Sequence, residues 1–73
     1  MLTMLQQEFD ALQDGESIVI VLNQVEKSYT IKDNYKLQCI NNMVIITRVK
    51  VSNTVETIYI PENSILYFRK LGK

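Results

Sequence analysis

Ser28-Tyr29-Thr30-Ile31-Lys32-Asp33-Asn34-Tyr35-Lys36-Leu37-Gln38-Cys39-Ile40 is the stretch that decides the fold. Tyr29, Ile31, Tyr35, Leu37 and Cys39 fall on odd positions, and Ser28, Thr30, Lys32, Lys36 and Gln38 on even ones. Alternation with a period of two places one set inward and the other outward on a pleated strand. Asp33-Asn34 interrupts it. Either that pair is a two-residue hairpin turn, or residues 28–40 form one long bent strand with a bulge there. The alternation keeps its phase across the pair, which favours the bent strand.

The neighbouring segments carry the same signal. Ile18-Val19-Ile20-Val21-Leu22 is unbroken, so a strand from Ser17 to Asn23 is expected to be buried on both faces. Asn23 to Lys27 reads as a turn. Asn41-Asn42 is a hairpin signal, because asparagine tolerates positive φ. Met43 to Val51 is the next strand, with Arg48 and Lys50 expected to face out. After a turn at Ser52-Asn53-Thr54, Val55 to Ile60 is another strand. Pro61-Glu62-Asn63 breaks the ladder, since proline has no amide to donate. Ser64 to Lys70 is the last strand, and Leu71-Gly72-Lys73 is a frayed end. Nine isoleucines, seven valines and five threonines supply the branched side chains that such strands favour.

Ahead of the strands, Leu2, Leu5, Phe9 and Leu12 recur at helical spacing and line one face. Thr3 and Gln6 have capping-box spacing. Gly15 can end the helix in the left-handed conformation, so the helix is expected over residues 2–14. A segment this short is marginal in water and must dock its apolar face. The predicted fold is mostly β with one N-terminal α-helix: a small five-stranded antiparallel barrel over residues 17–70, capped by the helix, in a single domain of residues 1–73.

Composition narrows the chemistry. The 73 residues contain no histidine, no tryptophan and one cysteine. No disulfide within the chain, no Cys/His zinc site and no imidazole-dependent triad can be built from them. No catalytic residue, metal ligand or cofactor is assigned. Cys39 shares the phase of Leu37 and is expected to be a buried thiol. The longest apolar run, Ile18 to Leu22, has five residues, far short of the roughly 18–20 of a membrane span. The N-terminus lacks the basic start of a signal peptide. With the lone cysteine, these features lead to the expectation of a cytoplasmic protein that does not enter a membrane.

The net charge of zero hides an asymmetry. Residues 1–26 carry five acids and no base, whereas residues 27–73 carry eight bases and three acids, giving −5 and +5. The two parts are expected to attract each other within the fold or across an oligomer, and the second can present positive potential. Tyrosines interleaved with Lys32, Lys36 and Arg48 are candidates for stacking bases beside a phosphate-attracting surface.

Several local patterns resemble the bacterial Sm-like RNA chaperones (Hfq). Leu5-Gln6-Gln7-Glu8-Phe9 followed by Ala11-Leu12 is similar to the opening of that family's helix. Ile18 to Asn23 is similar to its first strand, and Asn41 to Ile46 to its central turn and third strand. Ile58-Tyr59-Ile60-Pro61-Glu62-Asn63-Ser64-Ile65 resembles its closing strand, one-turn 3₁₀ break and final strand. The resemblance implies an Sm-like or SH3-like barrel that forms ring oligomers by pairing the fourth strand of one subunit with the fifth of the next. Ile58, Ile60, Ile65 and Tyr67 are then the interface candidates. It also implies single-stranded RNA as a partner, with Gln6 at a family RNA-contacting position and Asn41 at the central turn. The family's Tyr-Lys-His signature, which supplies much of its uridine contact, is replaced here by Ile60-Pro61-Glu62. A non-enzymatic module that self-associates and binds a protein partner, of regulator or inhibitor type, is therefore placed first, and an Sm-like RNA binder second.

Overall fold

The unbroken apolar run becomes the central strand of a sheet. β1 (Ser17–Leu22) pairs antiparallel with β2 (Ser28–Lys32) on one side and β6 (Ile65–Leu71) on the other. Ile18, Val19 and Ile20 are all buried, as a strand covered on both faces requires. A second antiparallel sheet has β4 (Met43–Val49) in its centre, between β3 (Lys36–Ile40) and β5 (Val55–Pro61). The computed structural model describes residues 1–24 and 27–72. The predicted turn at Asn23–Lys27 and the end at Leu71–Lys73 therefore lie partly outside the described residues.

The predicted five-stranded barrel is replaced, among the described residues, by six strands in two three-stranded sheets that do not close into a barrel. The difference arises at Asp33-Asn34. Residues 28–40 are neither a hairpin nor one bent strand, because β2 and β3 belong to different sheets. The chain turns a corner there, closed by the Tyr35 amide donating to the Lys32 carbonyl at 3.1 Å. The odd-numbered phase survives the corner: Ile31 and Leu37 are buried, and Tyr29, Tyr35 and Cys39 pack against the core.

The other turns follow their residues. Asn41 and Asn42 link β3 to β4 with φ of 51° and 61°, the positive values that a two-residue hairpin needs at both central positions. Pro61 closes β5, and a 3₁₀ turn (Glu62–Ser64) leads into β6.

α1 (Leu2–Asp10) is shorter than the predicted 2–14. Beyond Asp10 the bonding changes: the Leu12 amide reaches back three residues to Phe9, and the Gln13 amide is taken by the Glu16 carboxylate at 2.7 Å. Gly15 does adopt a left-handed φ of 85°, but in the turn that follows. The Thr3–Gln6 capping box does not form, since no side chain caps the helix. Leu5 is fully buried from α1 into a cluster with Ile18, Ile20, Ile31, Leu37, Val44, Ile46, Ile60 and Ile65, with Leu2, Phe9 and Leu12 half-buried beside it. An ion pair, Lys70 to Glu16 at 3.5 Å, joins the basic part of the chain to the acidic part.

Candidate functional site

The turn hydrogen bonds fix which main-chain groups each strand leaves open. In an antiparallel pair, every second residue bonds across the ladder and the others turn their N–H and C=O away. The Leu22 amide donates to the Lys27 carbonyl at 3.0 Å, in register with the β1–β2 ladder. Ile20/Tyr29 and Ile18/Ile31 are therefore the bonded pairs, and Ser28, Thr30 and Lys32 point their main chain away from β1. By the same logic Ser17, Val19 and Val21 serve β6, continued by Asn23 N–H to the Ser64 carbonyl at 2.9 Å, which leaves Phe68 and Lys70 outward on β6.

In the second sheet, Lys50 N–H to Thr54 C=O and Glu62 N–H to Asn42 C=O, both 2.8 Å, bracket the β4–β5 ladder. Arg48/Glu56, Ile46/Ile58 and Val44/Ile60 bond across it. Val55, Thr57, Tyr59 and Pro61 face outward on β5. Leu37 and Cys39 face outward on β3, where the Gln6 side-chain amide donates to the Leu37 carbonyl at 3.3 Å. Gln6 thus leaves the capping role that its spacing predicts and covers an edge 31 residues away. It also donates to Asp10 at 3.0 Å.

β5 and β6 each end their sheet and carry exposed apolar side chains: Val55, Tyr59, Leu66 and Tyr67. Of the predicted interface residues, Tyr67 is exposed. Ile58 is half-buried, and Ile60 and Ile65 are core. The main chain of Ile58 and Ile60 is already bonded to β4, so neither can pair with a neighbouring strand. Tyr59, Leu66 and Val55 were legible in sequence only as strand residues; their exposure follows from which face of each sheet meets the core.

The predicted RNA-binding residues divide between three hollows. Gln6 and Asn41 meet in a pocket of about 440 Å³ with Leu2, Thr3, Gln7, Cys39 and Asn42. Among the described residues, no lysine or arginine lines it. Burial, with Asp10 and Glu62 adding to it, pushes the Cys39 thiol above its ordinary pKa. Cys39 is half-buried rather than fully enclosed. Lys32 and Arg48 share a cleft of about 560 Å³. Lys36 lies in a third hollow, beside Phe9 and Tyr35.

Arg48 departs from the outward orientation predicted for it. It shares the phase of Val44 and Ile46, stands opposite Glu56 in register and is half-buried. Its Nε donates to the Glu56 carboxylate, its Nη1 donates to the Tyr35 hydroxyl at 3.2 Å, and its guanidinium stacks 5.8 Å from the Tyr35 ring centre. Lys50 reaches the other Glu56 oxygen at 3.2 Å. Lys50 and Arg48 together hold the Glu56 carboxyl below the usual carboxylate range. Opposite charges eight residues apart across a predicted turn were the available signal for this pair.

Among the described residues no cluster of three Cys, Asp or Glu is placed to hold a metal ion. No helix among them is long and apolar enough to cross a membrane. Family models, curated proteins and solved structures yield no match to this chain.

Proposed function

We propose that the protein is a non-enzymatic interaction module of the cytoplasm that self-associates by pairing the outer edge of β5 in one copy with the outer edge of β6 in the next, and binds a protein partner. One observation carries the reading: the unpaired main chain of Val55, Thr57 and Tyr59, and of Phe68 and Lys70, is flanked by exposed Val55, Tyr59, Leu66 and Tyr67. Apolar edges of this kind are templates for another strand. A chain of 73 residues also has little core of its own, which favours association. Sedimentation across a concentration series tests the reading. The wild type is expected to associate and Tyr59→Lys with Leu66→Lys to shift it toward monomer, since like charges on the two paired edges repel. A strict monomer at high micromolar concentration refutes it.

A second reading, an Sm-like single-stranded RNA binder, is supported by the order helix, strands, 3₁₀ turn, final strand, and by Gln6 and Asn41 sharing one pocket. Uridine- and adenine-rich oligonucleotides at two salt concentrations test it. Phosphate contacts require affinity that drops steeply as salt rises. Absence of binding at low salt ends this reading.

A further inference from the structure

We infer that the cleft between β2 and the inner face of the second sheet takes an extended acidic peptide, added as a strand to the open edge of β2. The inference supplies the partner half of the function proposed above, and it uses a different edge from the one assigned to self-association.

All five residues of β2, Ser28 to Lys32, line this cleft. Side chains on a strand alternate between faces, so only an edge can present five consecutive residues to one space. That edge is the side away from β1, where Ser28 and Thr30 direct their N–H and C=O groups and Lys32 its N–H, the Lys32 carbonyl being taken by the Tyr35 amide. Across the cleft stand Tyr35, Ile46, Arg48, Glu56 and Ile58. The main chain of β2 offers hydrogen bonds, and the half-buried Tyr29, Tyr35 and Ile58 offer apolar surface to side chains of a docked strand, which is the division of labour in β-augmentation. The five residues of β2 span about 17 Å at roughly 3.3 Å per residue, room for a short strand.

Charge selects the occupant. Among the described residues that line the cleft, Lys32 and Arg48 outnumber Glu56. Lys50 binds the same carboxylate as Arg48, so two cations share one acid. Asp33 sits on the adjoining turn, outside the lining. The surplus is positive, and an acidic segment is favoured over a basic one.

The test is fluorescence anisotropy of the full chain with a labelled peptide of about seven residues that alternates valine with glutamate. Three companions are a peptide with lysine for glutamate, one N-methylated at alternate amides, and the original peptide in high salt. The acidic peptide is expected to bind saturably, the basic one at least about tenfold more weakly, and the N-methylated one not at all. Salt is expected to weaken binding. Thr30→Pro, which removes an outward N–H without touching the β1 ladder, should weaken binding about fivefold, the equivalent of one hydrogen bond. Lys32→Glu, an exposed side-chain change, provides the second variant and should also weaken it. No binding at millimolar peptide, or equal binding of all three peptides, overturns the proposal. So does dimerisation that Thr30→Pro abolishes, since the cleft would then hold a second copy. Light scattering on the same samples separates the two readings. Association without peptide binding ends only the cleft proposal, and a monomer that binds peptide ends only the self-association.

Discussion

Leu5→Ala probes the docking of α1 directly. A nine-residue helix has too few hydrogen bonds to persist alone in water. It is held by Leu5, which is 0% exposed, with Leu2, Phe9 and Leu12 as half-buried support. Leucine-to-alanine changes at buried sites cost about 2–5 kcal/mol, depending on how far the site collapses. A terminal helix can relax toward the sheets, so the expected loss is about 3 kcal/mol. A domain of 73 residues at roughly 0.05–0.15 kcal/mol per residue has about 4–11 kcal/mol in all. The substitution therefore removes between a quarter and most of the stability. At about 4–8 °C per kcal/mol for a domain of this size, the thermal midpoint should drop by about 12–24 °C. Urea and thermal melts followed by circular dichroism measure this. Met4→Ala, one residue away and 63% exposed, is the control, expected within about 0.5 kcal/mol of wild type. If Leu5→Ala loses less than about 1 kcal/mol, or no more than Met4→Ala, the helix is not part of the core and the packing described here is wrong.

Asn42 holds φ at 61° in the β3–β4 hairpin; Asn42→Val should cost about 1–2 kcal/mol in urea melts, because a branched residue resists that conformation, whereas Asn42→Gly should be close to neutral. Glu56 titrates below the usual carboxylate range because Lys50 and Arg48 stabilise its ionised form. As pH falls the unfolded chain takes up that proton first, so the stabilisation is complete above the ordinary glutamate pKa of about 4.3 and is lost as pH drops through the lowered value. The stability gap between wild type and Glu56→Gln should therefore be constant near neutrality and close in acid; a gap unchanged down to strong acid refutes the role of the pair. Cys39, with its thiol pushed up by burial and by Asp10 and Glu62, should react with a disulfide reagent at mildly alkaline pH more slowly than a small free thiol. The rate should rise on unfolding in urea, and equal rates in both states would contradict its placement.

The strands were legible because the side-chain period is local. Tyr29 through Cys39 keep one phase, and Asn41-Asn42 and Pro61 mark the turns by their own backbone limits. What could not be read locally was partnership. Gln6 has capping spacing, yet its amide is used by a carbonyl 31 residues on. Glu16 ends the helical path early by accepting the Gln13 amide, a contact no periodicity announces. Asp33-Asn34 is a turn in the sequence, but whether it folds a hairpin or moves the chain to another sheet depends on where β1 and β4 stand. The candidate site suffered in the same way. Ile58, Ile60 and Ile65 read as edge residues because they are apolar and lie on the last strands, while the inner phase sends Ile60 and Ile65 to the core and half-buries Ile58 against it.

The outward position of Pro61 has a consequence of its own. Along the rim of β5, the amides of Val55, Thr57 and Tyr59 can donate, and the next outward nitrogen carries no hydrogen. A guest strand thus meets three donors and then a dead stop. Such a rim can accept one short handshake but makes a poor seed for the long, in-register stacks of amyloid. For a chain so rich in isoleucine and valine, that imino acid acts as a safeguard against fibre growth.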